Sequence, residues 1–141
     1  MDLERAIEIA AGAHRGQRDK AGEPFILHPL RVMNACSTAS ERIVAVLHDV
    51  VEDSDWTLEG LRNEGLVEEM VAAVDAMTRR ESETYAEFVS RAVSDPIARA
   101  VKIADLRDNL DMTRIADPTP SDEQRSQKYL QALRALGVSP D

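Results

Sequence analysis

The sequence predicts an all-α bundle of about eight helices, and three observations carry that reading. Apolar residues recur at spacings of three and four along most of the chain, the period of a helix face. Thr, Ser, Asp and Pro stand where helices begin, and Gly or Pro where they end. Finally, no β-branched alternating run, repeat or low-complexity tract interrupts the pattern.

In order, Leu3, Ile7, Ala10, Ala11 and His14 share one face and predict a helix to about Gln17. After a polar turn from Asp19 to Pro24, Pro29 suits a first helical turn, so a second helix covers about Pro29 to Ser37 with His28 at its entrance. Ser40 can cap a third, in which Ile43, Val44, Leu47, Val50 and Val51 form a broad apolar face and which carries His48, Asp49 and Glu52. Thr57 caps a short helix, and Val67, Met70, Val71, Val74 and Met77 mark another ending near Thr78. Thr84 with Glu87 has capping-box spacing. Asp95-Pro96 opens a longer helix bearing Lys102, Asp105 and Asn109, and Ser121 with Gln124 opens a last one, striped by Leu130, Leu133 and Leu136 and ending before Gly137. That helix packs on the body or on a second copy of the chain, making it the candidate surface for a homo-oligomer.

Composition bounds the rest. The 141 residues suit one domain spanning residues 1–141. With 43% hydrophobic and 30% charged residues, the chain has the makeup of a self-folding globular protein. The longest apolar run, Ile43 to Leu47, is far short of the roughly 20 residues that cross a bilayer, so no membrane partner is expected. Asp2, Glu4, Arg5 and Glu8 break up any export-type start, and a cytoplasmic location is expected. A formal charge of −9 argues against polynucleotides, although a small anion can bind a local basic pocket. Cys36 is the sole cysteine and reads as a small buried hydrophobe, so any metal must rely on His, Asp and Glu.

The chemistry concentrates in His48-Asp49-Val50-Val51-Glu52-Asp53. The i,i+4 rule stacks His48 over Glu52 and Asp49 over Asp53 on two adjacent ridges. Such a cluster beside apolar residues is costly to bury unless a cation compensates it; its bland reading is a solvated acidic helix end. His28 and the pair Asp105 and Asn109, four residues apart on one helix face, supply two further polar sites. Together His28, His48, Asp49 and Asp105 offer two imidazoles and two carboxylates, a set suited to Mn, Fe, Zn or Mg.

These residues resemble the metal-binding pattern of HD-domain phosphohydrolases. Ala13-His14-Arg15-Gly16-Gln17, Gly22 through Leu30, His48 through Asp53 and Lys102 through Asn109 are similar to the hydrolase domain of the RelA/SpoT family, especially its stand-alone small alarmone hydrolases. The resemblance spans about Ala6 to Ile115. It implies an all-α HD-domain bundle, manganese as the usual metal, and hydrolysis of the 3′-pyrophosphate of a guanosine alarmone. By the same resemblance Glu52 and Asp53 orient or deprotonate the attacking water, Lys20 lies near substrate phosphates and Asn109 contacts the sugar. His14 also matches, but its apolar helix face favours a structural, hydrogen-bonded role, and Thr78 matches at a helix end where a turn role fits better.

The chain departs from the family on the nucleotide side. Asp19 stands where alarmone-binding members commonly have Arg, Asp111 replaces a common Arg, and Met112 replaces a hydroxyl residue. Arginine stacks on purines and attracts phosphate; aspartate does neither, though it can accept hydrogen bonds from a guanine edge. The expected substrate is therefore a small phosphorylated nucleotide, guanosine or adenosine, with Asp19 at its binding site. Two alternatives stay open: a phosphatase of another nucleotide, recognisable by orthophosphate release, and a non-catalytic module that binds metal without turnover.

Overall fold

A computed structural model describes residues 1–141. Nine α-helices and one 3-10 turn follow in order: α1 (Leu3–Ala13), α2 (Leu27–Ala35), α3 (Ala39–Leu47), α4 (Val50–Asp53), α5 (Leu58–Asn63), α6 (Glu68–Ala76), α7 (Tyr85–Ala92), α8 (Pro96–Leu110), the turn Met112–Arg114, and α9 (Pro120–Ala135). The all-α expectation holds, with a lone bridge between Arg18 and Pro24 as the sole strand-like pairing. None of the helices is long and apolar enough to cross a membrane.

Local chemistry explains the starts. Thr84 and Glu87 form the expected reciprocal capping box, and Asp95 caps α8 with Pro96 in the first turn. Three starts lie upstream of expectation, those of α2, α3 and α9. Thr38, not Ser40, caps α3, because three residues on it finds Glu41 to complete a capping box, whereas Ser40 finds Ile43. Thr119, not Ser121, caps α9, a choice that puts Pro120 in the first turn and pairs Thr119 with Asp122.

Helix α1 stops at Ala13 rather than Gln17, ahead of a turn in which Gly16 has φ 82°, a left-handed conformation suited to glycine. Helix α2 runs from Leu27, two residues before the expected start. The missing amide of Pro29 costs nothing there, since first-turn amides have no intrahelical partner, and His28 lies inside that turn.

The largest correction concerns His48 and Asp49. The predicted continuous helix breaks after Leu47 and restarts at Val50. In an unbroken helix the Ala45 carbonyl would accept from the Asp49 amide. It accepts instead from the His48 amide at 3.4 Å and the His48 ring Nδ1 at 2.5 Å. The pair therefore sits on a turn between two helices rather than inside one, with Asp49 as the N-cap of α4, where its carbonyl accepts from the Asp53 amide at 3.0 Å and keeps Asp53 one turn away.

That turn caps the central element of the core. All five residues from Ile43 to Leu47 are buried, and α3 packs against α1, α2, α6 and α8. The C-terminal half of α3, apolar on every side, belongs in the interior, while Ser40, Glu41 and Arg42 keep its first turn near the surface. Its neighbours contribute Ala6, Ala10, Val32, Val74 and Val101, each with no exposed surface. Helix α9 closes the other side of α8 and buries Leu133.

Candidate metal centre

Three elements converge at the end of α3. The first turn of α2 brings His28, the α3–α4 turn brings His48 and Asp49, and the middle of α8 brings Asp105. His28 Nε2 lies 2.9 Å from Asp105 Oδ1 and 3.7 Å from Asp49 Oδ2. His48 Nε2 lies 3.1 Å from Asp49 Oδ2 and 3.4 Å from Asp105 Oδ1. Ligand atoms of His28, His48 and Asp49 all fall within 4.8 Å of one another.

The tautomers follow from the outer partners. The Ala45 carbonyl can only accept, so His48 Nδ1 carries the proton and donates to it, leaving a lone pair on Nε2. That Nε2 is buried and has no hydrogen-bond partner of suitable geometry. His28 Nδ1 likewise donates to Asp108 Oδ2 at 2.7 Å, turning its Nε2 toward the carboxylates. An orphaned imidazole nitrogen among two carboxylates and a second imidazole fits a divalent cation by donor chemistry.

The electrostatics show how tightly the groups are coupled. Burial opposes a charge on His28, yet bonds to Asp105 and Asp108 raise its pKa to about 9. Burial opposes charge on His48 too, and the Asp49 and Asp105 carboxylates overcome it, pushing the ring well above its ordinary value. Conversely, burial would raise Asp105, but Lys102 and the two histidines hold it well below the usual carboxylate range. The Lys102 amine is itself buried, 3.1 Å from Asp105 Oδ2 and 4.5 Å from the Phe88 ring centre.

Glu52 and Asp53 line the same cleft of about 480 Å³, a size suited to a small ligand. Glu52 Oε1 accepts a short hydrogen bond from the Arg79 amide, which ties α4 to the end of α6. Burial, reinforced by the charges of Asp49 and Asp53, raises the Glu52 carboxyl despite that bond. Burial and Asp49 raise Asp53 as well.

The expected substrate-side residues also line the cleft, with their polar atoms already engaged in part. Asn109 Nδ2 donates to Asp105 Oδ1 at 3.2 Å. Lys20 is exposed. Asp19 Oδ1 accepts from the Ala21 and Glu23 amides, both at 2.9 Å, and so braces its own loop. Asp111 braces the 3-10 turn through Thr113 and Arg114, beside Met112. His14 is buried with Nδ1 on Gln17 Oε1 at 2.9 Å, and Gln17 Nε2 reaches the Asp53 carbonyl at 2.7 Å. Thr78 closes α6 by donating to the Val74 carbonyl. Cys36 is buried as expected.

Sequence reasoning missed the remaining walls. Tyr85, Phe88, Arg125 and Tyr129 face the cleft from α7 and α9, and Asp108 with Arg31 lies behind His28. Asp108 could have been flagged, since it lies three residues from Asp105 on α8. Tyr129 and Arg125 carry no local signal, because only the packing of α9 on α8 brings them in.

The family model for the HD domain matches residues 6–139. The chain is an HD-domain protein. Its relatives include a probable GTP pyrophosphokinase of Mycobacterium leprae, 30% identical over 95% of this chain and 18% of that protein. The guanosine-3′,5′-bis(diphosphate) 3′-pyrophosphohydrolase of Mus musculus is 35% identical over 92% of this chain and 79% of its own length. The bifunctional (p)ppGpp synthase/hydrolase SpoT of Escherichia coli is 32% identical over 77% of this chain and 17% of its own. This HD-domain chain thus spans less than a fifth of the long relatives and most of the mouse protein. The solved structure of a metazoan ortholog of SpoT shares the fold, with TM-score 0.73, 22% identity and coverage of 97% of this chain and 96% of that one.

Proposed function

We propose that this chain is a metal-dependent phosphohydrolase that removes the 3′-pyrophosphate from a guanosine or adenosine alarmone, (p)ppGpp or (p)ppApp. The observation that carries the reading is the pairing of a four-residue donor set with two further carboxylates in one cleft of small-ligand size. The mouse relative, similar over nearly its whole length, bears the name of that activity.

In this reading His28, His48, Asp49 and Asp105 hold a divalent cation, manganese first and Fe, Zn or Mg as alternatives. When bound, the cation lowers the pKa of water and neutralises phosphate oxygens. Glu52, with its carboxyl raised and one oxygen fixed by the Arg79 amide, orients the attacking water and takes up its proton. Asp53, beside it on α4, shares that task. Lys20 and Arg125 supply positive charge for the phosphates, and Asn109 turns from Asp105 to the sugar. The substrate is a small nucleotide, since the net charge of −9 disfavours a polyanion.

Asp19 favours a second reading, hydrolysis of another phosphorylated nucleotide, because no arginine at that position stacks on the base. One experiment separates the two. Purified protein with Mn²⁺ is incubated with ppGpp, ppApp, NADPH and ordinary mononucleotides, and products are resolved by anion exchange. The proposal expects turnover of ppGpp or ppApp, abolished in His48→Ala and lowered about 10²–10⁴-fold in kcat in Glu52→Gln. Turnover confined to NADPH or mononucleotides establishes the second reading, and no turnover of any compound refutes both.

A further inference from the structure

His28 enters the site from the first turn of α2, and its ring is fixed from behind. Asp108 Oδ2 accepts from His28 Nδ1 at 2.7 Å. Asp108 is in turn clamped by Arg31, with Nε 2.8 Å from Oδ1 and Nη2 3.2 Å from Oδ2. Arg114 donates to the Asp108 carbonyl at 3.1 Å and stands 3.7 Å from its carboxylate. A bidentate arginine fixes a carboxylate plane more firmly than a single bond does. The Asp108 side chain is only 12% exposed, so water competes weakly for it.

Arg114 also joins Asp111 to this buttress, with Nη1 2.8 Å from Asp111 Oδ2. Three elements therefore meet on one carboxylate: α2 through Arg31 and His28, α8 through Asp108 itself, and the 3-10 turn through Arg114. These groups also line the cleft, but Asp108 bonds His28 at Nδ1, the ring nitrogen opposite the Nε2 that faces Asp49 and Asp105, so it acts on the metal centre through the His28 ring.

We propose that Asp108, held by Arg31 and Arg114, is a positioning residue that locks the His28 ring with its proton on Nδ1 and so strengthens the Nε2 donor of the metal centre. A carboxylate behind a ligating imidazole raises its basicity and fixes its rotation, and loss of such a partner costs 10–100-fold in metal affinity. The inference rests on the reading of His28 as a ligand, and it is specific: Asp49 and Asp105 have no comparable arginine-fixed partner, and His48 leans on a backbone carbonyl that substitution cannot remove.

The test measures Mn²⁺ binding by titration, with folding monitored by circular dichroism and thermal midpoint, in the parent, Asp108→Asn, Asp108→Ala and Arg31→Ala. Asn retains an acceptor without the charge, so the expected order of affinity is parent, then Asp108→Asn, then Asp108→Ala, the last about 10–100-fold weaker. Arg31→Ala should fall between the parent and Asp108→Ala. Nitrogen-15 spectra of the Zn²⁺-loaded parent should show His28 protonated at Nδ1, a signature lost or exchanging in Asp108→Ala. Equal affinity in the parent and either folded Asp108 variant overturns the proposal. A parent that binds no metal overturns the His28 assignment beneath it, and the two failures are thereby distinct.

Discussion

Replacing Lys102 with Met tests how charge is balanced in the proposed metal centre. Lys102 is 4% exposed, and its amine lies 3.1 Å from Asp105 Oδ2 and stands over the Phe88 and Tyr85 rings. Met keeps most of the side-chain volume and removes only the charge. Removing one partner of a buried ion pair costs about 3–5 kcal/mol, a large share of the roughly 5–15 kcal/mol that holds a domain together. At this chain length each kcal/mol moves the midpoint by about 3–5 °C, so the metal-free variant should melt roughly 10–20 °C below the parent. A divalent cation changes the comparison. It compensates Asp105 directly, and the amine no longer repels it, so saturating Mn²⁺ should narrow the gap to less than half. The assay is thermal unfolding of both proteins in EDTA and in Mn²⁺. A metal-free gap below about 2 °C, or one unchanged by Mn²⁺, refutes this account of Lys102.

Two further predictions address the fold. Glu83, bound to Arg91 at 2.6 and 2.7 Å, has its carboxyl lowered from 4.5 to about 2. Its contribution is therefore complete above pH 4.5 and lost as the pH falls through about 2, so the midpoint of Glu83→Gln should trail the parent at pH 6 and converge with it near pH 2. A gap independent of pH contradicts the linkage. Thr38→Ala should lose about 1 kcal/mol in denaturant unfolding by removing the α3 cap, while Ser40→Ala should change stability by less than about 0.5 kcal/mol. The reverse order would restore Ser40 as the cap.

Much of this was legible in the sequence, because most of its signals are local. The caps at Thr57, Thr84 and Asp95 depend on residues within one turn, and the sequence places them where the structure does. His28, His48, Asp49 and Asp105, the metal-ligand candidates named from the sequence, have their atoms brought together from three elements by the structure. The helix break at His48 was not legible: a periodic apolar pattern crosses it, and at the break the His48 ring takes the Ala45 carbonyl. Asp19 also misleads when read alone. Its charge suggests a surface that repels anions, whereas its Oδ1 accepts from two amides of its own loop. The Asp108 buttress joins residues 77 and 80 positions apart, a distance no local pattern spans.

The most direct test of the proposed activity follows the phosphorus. Phosphorus-31 spectra recorded while the Mn²⁺-loaded protein acts on ppGpp, and separately on ppApp, read which bond is cut. The account predicts that inorganic pyrophosphate accumulates with one of the two, without orthophosphate, and that the signal is absent with His48→Ala. Orthophosphate as the first product, or pyrophosphate release unchanged in His48→Ala, would contradict it.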